Sequence, residues 1–251
     1  VSFSPKTPAA PAKIKKRFVG DLDSSFFPGD WVVPYIQIVH DRITLEIMRG
    51  CPNRCRFCQA RQQYYPLRLR SAGKVKELAA ELYKNTGYHE ISFSGLSISD
   101  YPGIEGLASS LMAEFKDKCV GISLPSIKPK NFLGELSKLI AAIRKTGLTF
   151  APEAGTRRMR EMLGKDFDED IFREAVLKAY AAGYQHVKLY FLIGLPRESS
   201  NDLEGIKELS VAVSELRRKI SGRPAEVHLS VNTLIPKPHT PLQWFPMASL
   251  D

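Results

Sequence analysis

Long apolar runs are missing from this sequence. No stretch approaches the ~18 to 20 residues that a membrane-spanning helix requires, and the first twenty residues hold no apolar signal-peptide core. Both absences point to a cytoplasmic protein with no membrane partner. Cysteine is also scarce, with four in 251 residues, and three of the four crowd into one short segment. That distribution excludes a disulfide framework. A chain of this length can bury its own core, and closely spaced thiols in a reducing compartment serve metal or redox chemistry. With 43% hydrophobic and 25% charged residues the composition is globular, which excludes wholesale disorder and fibrous architecture. The first residue is Val, as expected of a segment excised from a longer protein with flanking domains.

The opening SFSPKTPAAPAKIKKR is rich in Pro, Ala and Lys and lacks apolar periodicity, so it reads as a flexible tail or linker that cannot repay the entropy of ordering itself. Residues 18–41 hold two Pro-containing turns and a short apolar run, Trp31 to Val39, which caps or precedes the core domain. The division expected is therefore a tail and N-terminal extension over 1–41 and a core domain over 42–251.

Within the core, short β-branched runs alternate with segments of helical spacing. Six strands are expected: ITLEIM from Ile43, EISFS from Glu90, VGISL from Val120, LTFA from Leu148, HVKLYFLI from His186 and EVHLSV from Glu226. Between them, Val75, Leu78, Ala79 and Leu82 follow helical spacing, as do Leu136, Leu139, Ile140 and Ile143, and then Ile206, Leu209, Val213, Leu216 and Ile220. Ser71, Asn131 and Asp168 stand at N-cap positions, and Gly87, Gly147 and Gly183 at helix stops. Strands alternating with helices imply right-handed parallel βαβ units. Periodicity leaves both an open doubly wound sheet and an incomplete barrel standing. A sixth helix would start near Met247, so the last helix is expected to be truncated.

The segment RGCPNRCRFC places Cys51, Cys55 and Cys58 in a C-x3-C-x2-C pattern directly after the first strand. Three thiolates from one loop can hold three irons of a cubane cluster and leave the fourth iron open to a ligand. A structural zinc site is the alternative, but such sites close with four ligands and no second pair stands nearby, His40 being reachable only over a long span. Three unrelated buried thiols are a second alternative, against which the spacing and the flanking Gly and Pro weigh.

C-x3-C-x-aromatic-C after the first strand, with Phe57 as the aromatic, resembles the signature of the radical S-adenosylmethionine (radical SAM) superfamily. The segments HDRITLEIMRGC, SFSGLSISDY, LPSIKP, FAPEAGTRRMR, KLYFLIGLPRE and IPKPHTPLQW extend the resemblance from Ile43 to Trp244. Together they are similar to a family whose longer members carry an N-terminal cobalamin-binding-like domain. This chain has no D-x-H-x-x-G cobalamin signature and so resembles the radical core alone. The resemblance implies an α/β fold, a partial (β/α)6 TIM-like barrel. It also implies a 4Fe-4S cluster held by Cys51, Cys55 and Cys58, and S-adenosyl-L-methionine chelated through its methionine amino and carboxylate groups. With an external electron donor, reductive cleavage yields a 5′-deoxyadenosyl radical that abstracts hydrogen from an unknown substrate.

By the same resemblance Ser94, Gly95 and Ser97 stand where relatives contact the methionine amino group, although this chain has Gly-Leu-Ser where many members have Gly-Gly-Glu. Glu153 is placed at the ribose hydroxyls, Gly155 at a close backbone approach, and Arg157 or Arg158 at the methionine carboxylate, with Arg158 in the binding set. Glu153 also reads as a helix-start charge paired with one of these arginines. Ile193, Gly194 and Leu195 stand at the adenine pocket, with Phe57 adding backbone contacts. Strand alternation turns Lys188 and Tyr190 toward the interior. His239 stands either at the mouth of the site or on the solvated surface. Cys119, without a cysteine partner, reads as a buried apolar thiol.

Arg49, Arg54, Arg56, Arg61, Arg68 and Arg70 surround the cluster loop and suit an anionic substrate or RNA, with Tyr64 and Tyr65 as stacking surfaces. They support a second reading, a non-catalytic cluster-containing RNA-binding module.

Overall fold

The computed structural model describes residues 4–124, 128–129, 148–165 and 167–249. Along the chain come β1 (Ile43–Glu46), β2 (Met48–Arg49), α1 (Gln59–Gln63), β3 (Arg68–Leu69), α2 (Ala72–Thr86), β4 (Glu90–Ser94), α3 (Ile104–Phe115) and β5 (Gly121–Ser123). The second half holds β6 (Leu148–Glu153), α4 (Arg157–Met162), α5 (Glu169–Ala181), β7 (His186–Ile193), α6 (Ser200–Leu216), α7 (Arg218–Ser221) and β8 (Glu226–Thr233). The six expected strands are all present. They form two three-stranded parallel sheets, ordered β1-β4-β5 and β6-β7-β8. The expected helix over Leu136 to Ile143, with Asn131 and Gly147 at its ends, lies outside the described residues.

Register sorts each sheet into an apolar outer and a polar inner face. In the first sheet Ile43 pairs with Ile91 and Ile91 with Ile122, whereas Thr44 pairs with Ser92 and Ser92 with Ser123. Paired residues of neighbouring strands share a face and successive residues alternate. Ile43, Leu45, Ile91, Phe93 and Ile122 are accordingly buried in one cluster with Val75, Leu78, Ala79 and Leu82 of α2 and with α3. In the second sheet Val187, Leu189 and Phe191 pack against α5 and α6.

The helix ends agree with the sequence where they can be compared. Ser71 accepts the Lys74 N–H at 3.2 Å, and Asp168 accepts that of Ile171 at 2.9 Å. Gly87 and Gly183 take the positive φ that lets a chain leave a helix, at 67° and 92°. One expectation fails: α6 ends at Leu216, and Ile220 lies exposed on the separate short α7. Cys119 also departs from expectation, since its thiol is exposed and its backbone is left-handed (φ 54°) in the turn before β5, outside the core.

The extension before β1 has no helix or strand among its described residues and is tied to the core by hydrogen bonds. Leu22 is fully buried, and its carbonyl accepts from the buried Arg70 guanidinium. Arg68 Nη1 donates to the Val19 carbonyl at 2.9 Å, and Phe27 and Trp31 pack on the first core cluster.

Candidate functional site

β2 and β3 form a two-stranded antiparallel ribbon, Met48 opposite Leu69 and Arg49 opposite Arg68, that ties together the two ends of the cysteine loop. Gly50 opens the loop at φ 99°, and a Cβ there would lie 2.9 Å from the Leu67 Cα and from the Tyr64 and Pro66 carbonyl oxygens. Only glycine fits so tight a return. From the other side, the Arg56 N–H donates to the Leu163 carbonyl at 2.8 Å, and a Cβ on Gly164 (φ 64°) would come within 2.9 Å of the Arg54 carbonyl. Cys58 stands at the N-cap of α1 and donates its N–H to the Cys55 carbonyl at 3.2 Å. The loop is thus held by the ribbon on one side and by the turn after α4 on the other.

All three cysteines are half-buried. Burial pushes the Cys55 thiol up; the Lys165 ammonium pulls it down, and the charges of Cys58, Cys51 and Glu153 push it further up. Three half-buried thiols from one loop are a donor set for an iron–sulfur cluster or zinc. Asn53, inside the loop, shares its amide N–H groups among Cys51 Sγ at 3.2 Å, Ser97 Oγ at 3.1 Å and Asp100 Oδ2 at 2.9 Å. Its carbonyl oxygen accepts from Lys128 Nζ at 2.6 Å. A donor aimed at a cysteine sulfur is the kind of contact that would tune a metal–thiolate group held there.

Beside the loop lies a cavity of about 270 Å³ lined from both sheets. Cys51, Asn53 and Cys55 reach it after β2, Ser97 after β4, Lys128 after β5 and Lys165 after β6, while Thr149, Ala151 and Tyr190 reach it from the strands themselves. Ser97 and Lys128 lie in loops that leave the C-terminal ends of β4 and β5, where α/β folds place their ligands, and Lys165 joins them from the turn after α4. Two ion pairs stand at this end, Lys128 with Asp100 at 2.8 Å and Lys165 with Glu153 at 3.2 Å. Burial raises the Asp100 carboxyl, but hydrogen bonds from Lys128, Ser97 and Asn53 outweigh it and leave the group below its ordinary value. At Glu153 burial wins over Lys165, and the carboxyl is raised.

Of the residues expected at a ligand site, Cys51, Cys55, Ser97 and Tyr190 border this cavity. Ser97 is buried and donates its hydroxyl to Asp100 at 2.7 Å. Ser94 ends β4, where its carbonyl accepts the Ile47 N–H at 3.1 Å, and a Cβ on Gly95 would meet Met48 Cγ at 2.5 Å. Glu153 sits where the β6–β7 register slips between Phe150 and Glu153, with a strained φ of 70°. Its partner is Lys165 rather than an arginine. Lys188 lies over the Tyr190 ring, 4.9 Å from its centroid, on the same strand face.

Other expected residues do not line this cavity. The Arg158 guanidinium is engaged by Asp202 and by the Arg197 carbonyl, and Arg157 pairs with Glu161 on the surface. Gly155 does make a close approach, but to protein: a Cβ there would lie 2.3 Å from the Ile206 nitrogen of α6. Gly194 and Leu195 donate their N–H groups to Glu198 at 2.6 and 3.4 Å and border a separate cavity of about 470 Å³ with Phe245 to Ala248. The Ile193 carbonyl accepts from Leu234 N–H. Phe57 packs on the apolar cluster that contains Leu195, Ala154 and Leu163, and so joins the cysteine loop to the ends of β6 and β7. His239 is exposed with φ 63°, while the neighbouring Pro238 carbonyl accepts from Gln59 of α1 at 3.2 Å.

Residues to which the sequence alone gave no role are Asn53, Asp100, Lys128 and Lys165. Their signal was present, since Asn53 lies between two cysteines and Asp100 in SFSGLSISDY, but nothing local shows that they meet. Among the six arginines near the loop, Arg68 and Arg70 are buried on backbone carbonyls, Arg49 pairs with Glu46, and only Arg54 and Arg56 are exposed. The basic run is thus divided, two of its six members being buried, two exposed and Arg49 and Arg61 between.

A sequence profile of the Radical SAM superfamily matches residues 45–210, and the chain belongs to that superfamily. It is 38% identical over 196 residues to the uncharacterized protein MJ0966 of Methanocaldococcus jannaschii, covering 78% of this chain and 41% of that protein. The chain therefore spans about two fifths of that relative's length. Among solved structures, the radical SAM methyltransferase TsrM of Kitasatospora setae, with cobalamin and a [4Fe-4S] cluster bound, superposes with a TM-score of 0.59 at 14% identity, over 80% of this chain and 35% of TsrM. The cobalamin-dependent radical SAM enzyme OxsB gives 0.59 at 13% identity over 80% of this chain and 34% of OxsB. Coproporphyrinogen III oxidase (HemN) of Escherichia coli gives 0.52 at 15% identity over 80% of this chain and 45% of HemN. At these identities the likeness is one of fold, a mixed α/β architecture common to radical SAM enzymes. No helix among the described residues is long and apolar enough to cross a membrane.

Proposed function

We propose that this chain is the core of a radical SAM enzyme whose Cys51, Cys55 and Cys58 hold a [4Fe-4S] cluster beside an S-adenosyl-L-methionine site. The single observation that carries the reading is the convergence of two thiols of the C-x3-C-x2-C loop, Cys51 and Cys55, with Ser97, Lys128, Lys165 and Tyr190 on one cavity between two parallel sheets. The two sheets are read as halves of an incomplete (β/α)6 barrel, since both direct polar residues to the face opposite their helices. Held by Cys51, Cys55 and Cys58 and reduced by an external donor, the cluster would supply the one electron that reductive cleavage of S-adenosyl-L-methionine needs, and with it the capacity to abstract hydrogen from a substrate.

The chain's own share is binding, orientation and exclusion of water. Asn53 holds Cys51, Ser97 and Asp100 in one network, which fixes the loop against the end of β4. Glu153 is assigned to the ribose hydroxyls; as a buried carboxylate already balanced by Lys165, it accepts hydrogen bonds without standing as an isolated charge. The methionine carboxylate is assigned to Lys128 or Lys165, the cations that border the cavity, rather than to Arg158, which Asp202 occupies. Phe57, Gly194 and Leu195, joined through one apolar cluster and its adjoining turn, are assigned to the adenine side.

Anaerobic reconstitution tests the reading. About four irons per chain are expected, with a cluster absorption spectrum that C51A/C55A/C58A lacks, and 5′-deoxyadenosine should form when S-adenosyl-L-methionine and a strong reductant are added. A colourless protein that holds only zinc overturns the cluster assignment. Full iron loading with no cleavage by any reductant overturns the enzyme.

A further inference from the structure

His186, Glu226 and His228 form a side-chain cluster that the cysteine site does not use. His186 begins β7 and Glu226 begins β8; the register pairs them directly, and pairs His228 with Lys188. Residues paired across parallel strands share a face, and alternation puts Tyr190 on that same face. The cluster therefore lies on the polar inner face. It is four residues, roughly 13 Å of strand, from Tyr190 at the cysteine-side cavity.

The three groups are aimed at one another. His186 Nδ1 is 3.0 Å from one oxygen of Glu226, and His228 Nε2 is 3.0 Å from the other. All three donor atoms lie within 4.8 Å of one another. Imidazole nitrogen and carboxylate oxygen bind zinc at about 2.0–2.2 Å, which in tetrahedral geometry separates neighbouring donors by roughly 3.3 Å. The two histidine–carboxylate pairs need to open by a few tenths of an ångström, and the donors, now within 4.8 Å of one another, to gather around the ion, a motion open to exposed side chains. Each is more than half exposed, so an ion has a free path and water can complete the coordination. Lys188, the cation on the same face, is turned onto the Tyr190 ring.

We propose that His186, Glu226 and His228 bind a divalent transition metal of the zinc class through two imidazoles and one carboxylate, leaving a coordination position open to water or an oxygen ligand. Two imidazoles and a carboxylate on adjacent strands match the ligand set of open zinc sites. The site is independent of the cysteine loop and stands whether or not that loop carries iron.

The test uses the full chain with its cluster reconstituted first, so that the thiols are occupied. Equilibrium dialysis against Zn²⁺ with metal analysis should show one zinc more in the parent than in H186A/H228A, with equal iron in both. E226Q should weaken that zinc by about tenfold or more. Equal melting temperatures keep the comparison valid, since the replaced side chains are exposed. If the loop fails to take iron and binds zinc instead, it does so in both proteins, and the difference of one remains. Identical zinc uptake by parent and double variant overturns the site and leaves a carboxylate hydrogen-bonded between two histidines.

Discussion

The outer faces of the two sheets share one alternating pattern and meet different fates. On the first sheet, Ile43, Leu45, Ile91, Phe93 and Ile122 are all at most 1% exposed, sealed by α2 and α3. On the second, Val187, Leu189 and Phe191 of β7 are fully buried, yet Leu229 and Val231 of β8 are 45% and 44% exposed. Strand β7 lies under α5 and α6; among the described residues no helix comes after β8. Alternation therefore says which side chains face outward, and the covering helix decides whether they contribute. At about 25 cal/mol per Å² of apolar surface, the same side chain is a core residue in one place and nearly neutral in the other.

The sharpest way to break this comparison is Phe93→Ala, which opens a cavity in the sealed sheet and should cost about 3–5 kcal/mol in denaturant unfolding. A loss below about 1 kcal/mol would mean that the first sheet is as open as β8. Gly155→Ala comes next. The added Cβ meets the backbone of α6 at 2.3 Å, so the helix must shift, and a loss of roughly 2–3 kcal/mol is expected. Gly95→Ala meets the Met48 side chain, with backbone only at 3.3 Å, and should cost less. An unchanged melting temperature in Gly155→Ala would show that β6 and α6 are not in close contact.

Asp202 ties the second half together. Burial raises its carboxyl, but hydrogen bonds from Ser199, Thr156 and Arg158 outweigh it and hold the group well below the ordinary 3.8. A depressed folded value means that this stability is present at neutral pH and is lost as pH falls below about 3.8 toward the folded value. Asp202→Asn should therefore destabilise by about 1–3 kcal/mol at pH 7 and flatten the acid limb of a pH–stability curve. A parallel drop across all pH values would remove the titration argument. The smallest effect is expected at β8, where Leu229→Ser should change stability by less than about 0.5 kcal/mol; a large loss would show the face to be covered.

How far the site could be read before folding depends on the reach of each contact. Cys51, Cys55 and Cys58 were legible because a short loop fixes their neighbourhood whatever the rest of the chain does. In the TRRMR segment, by contrast, three arginines take three separate partners. Arg157 binds Glu161 one turn away, Arg158 binds Asp202 of α6, and the buried Arg160 binds Glu169 of α5 at 2.8 Å. Helical spacing points them apart, but only the packing of α5 and α6 says what waits in each direction. The expected pairing of Glu153 with an arginine went to Lys165 for the same reason.

Periods and caps in the chain itself determined the six strands, their inner and outer residues and the cysteine loop, because they are set by backbone geometry within a few residues. Tertiary structure alone decided that Asn53, Asp100 and Lys128 form one network, that Gly155 admits a helix and not a ligand, and that His186 meets Glu226 and His228. Those pairs lie tens of residues apart, and the strand register and helix packing that join them minimise the free energy of the whole chain, not of any segment.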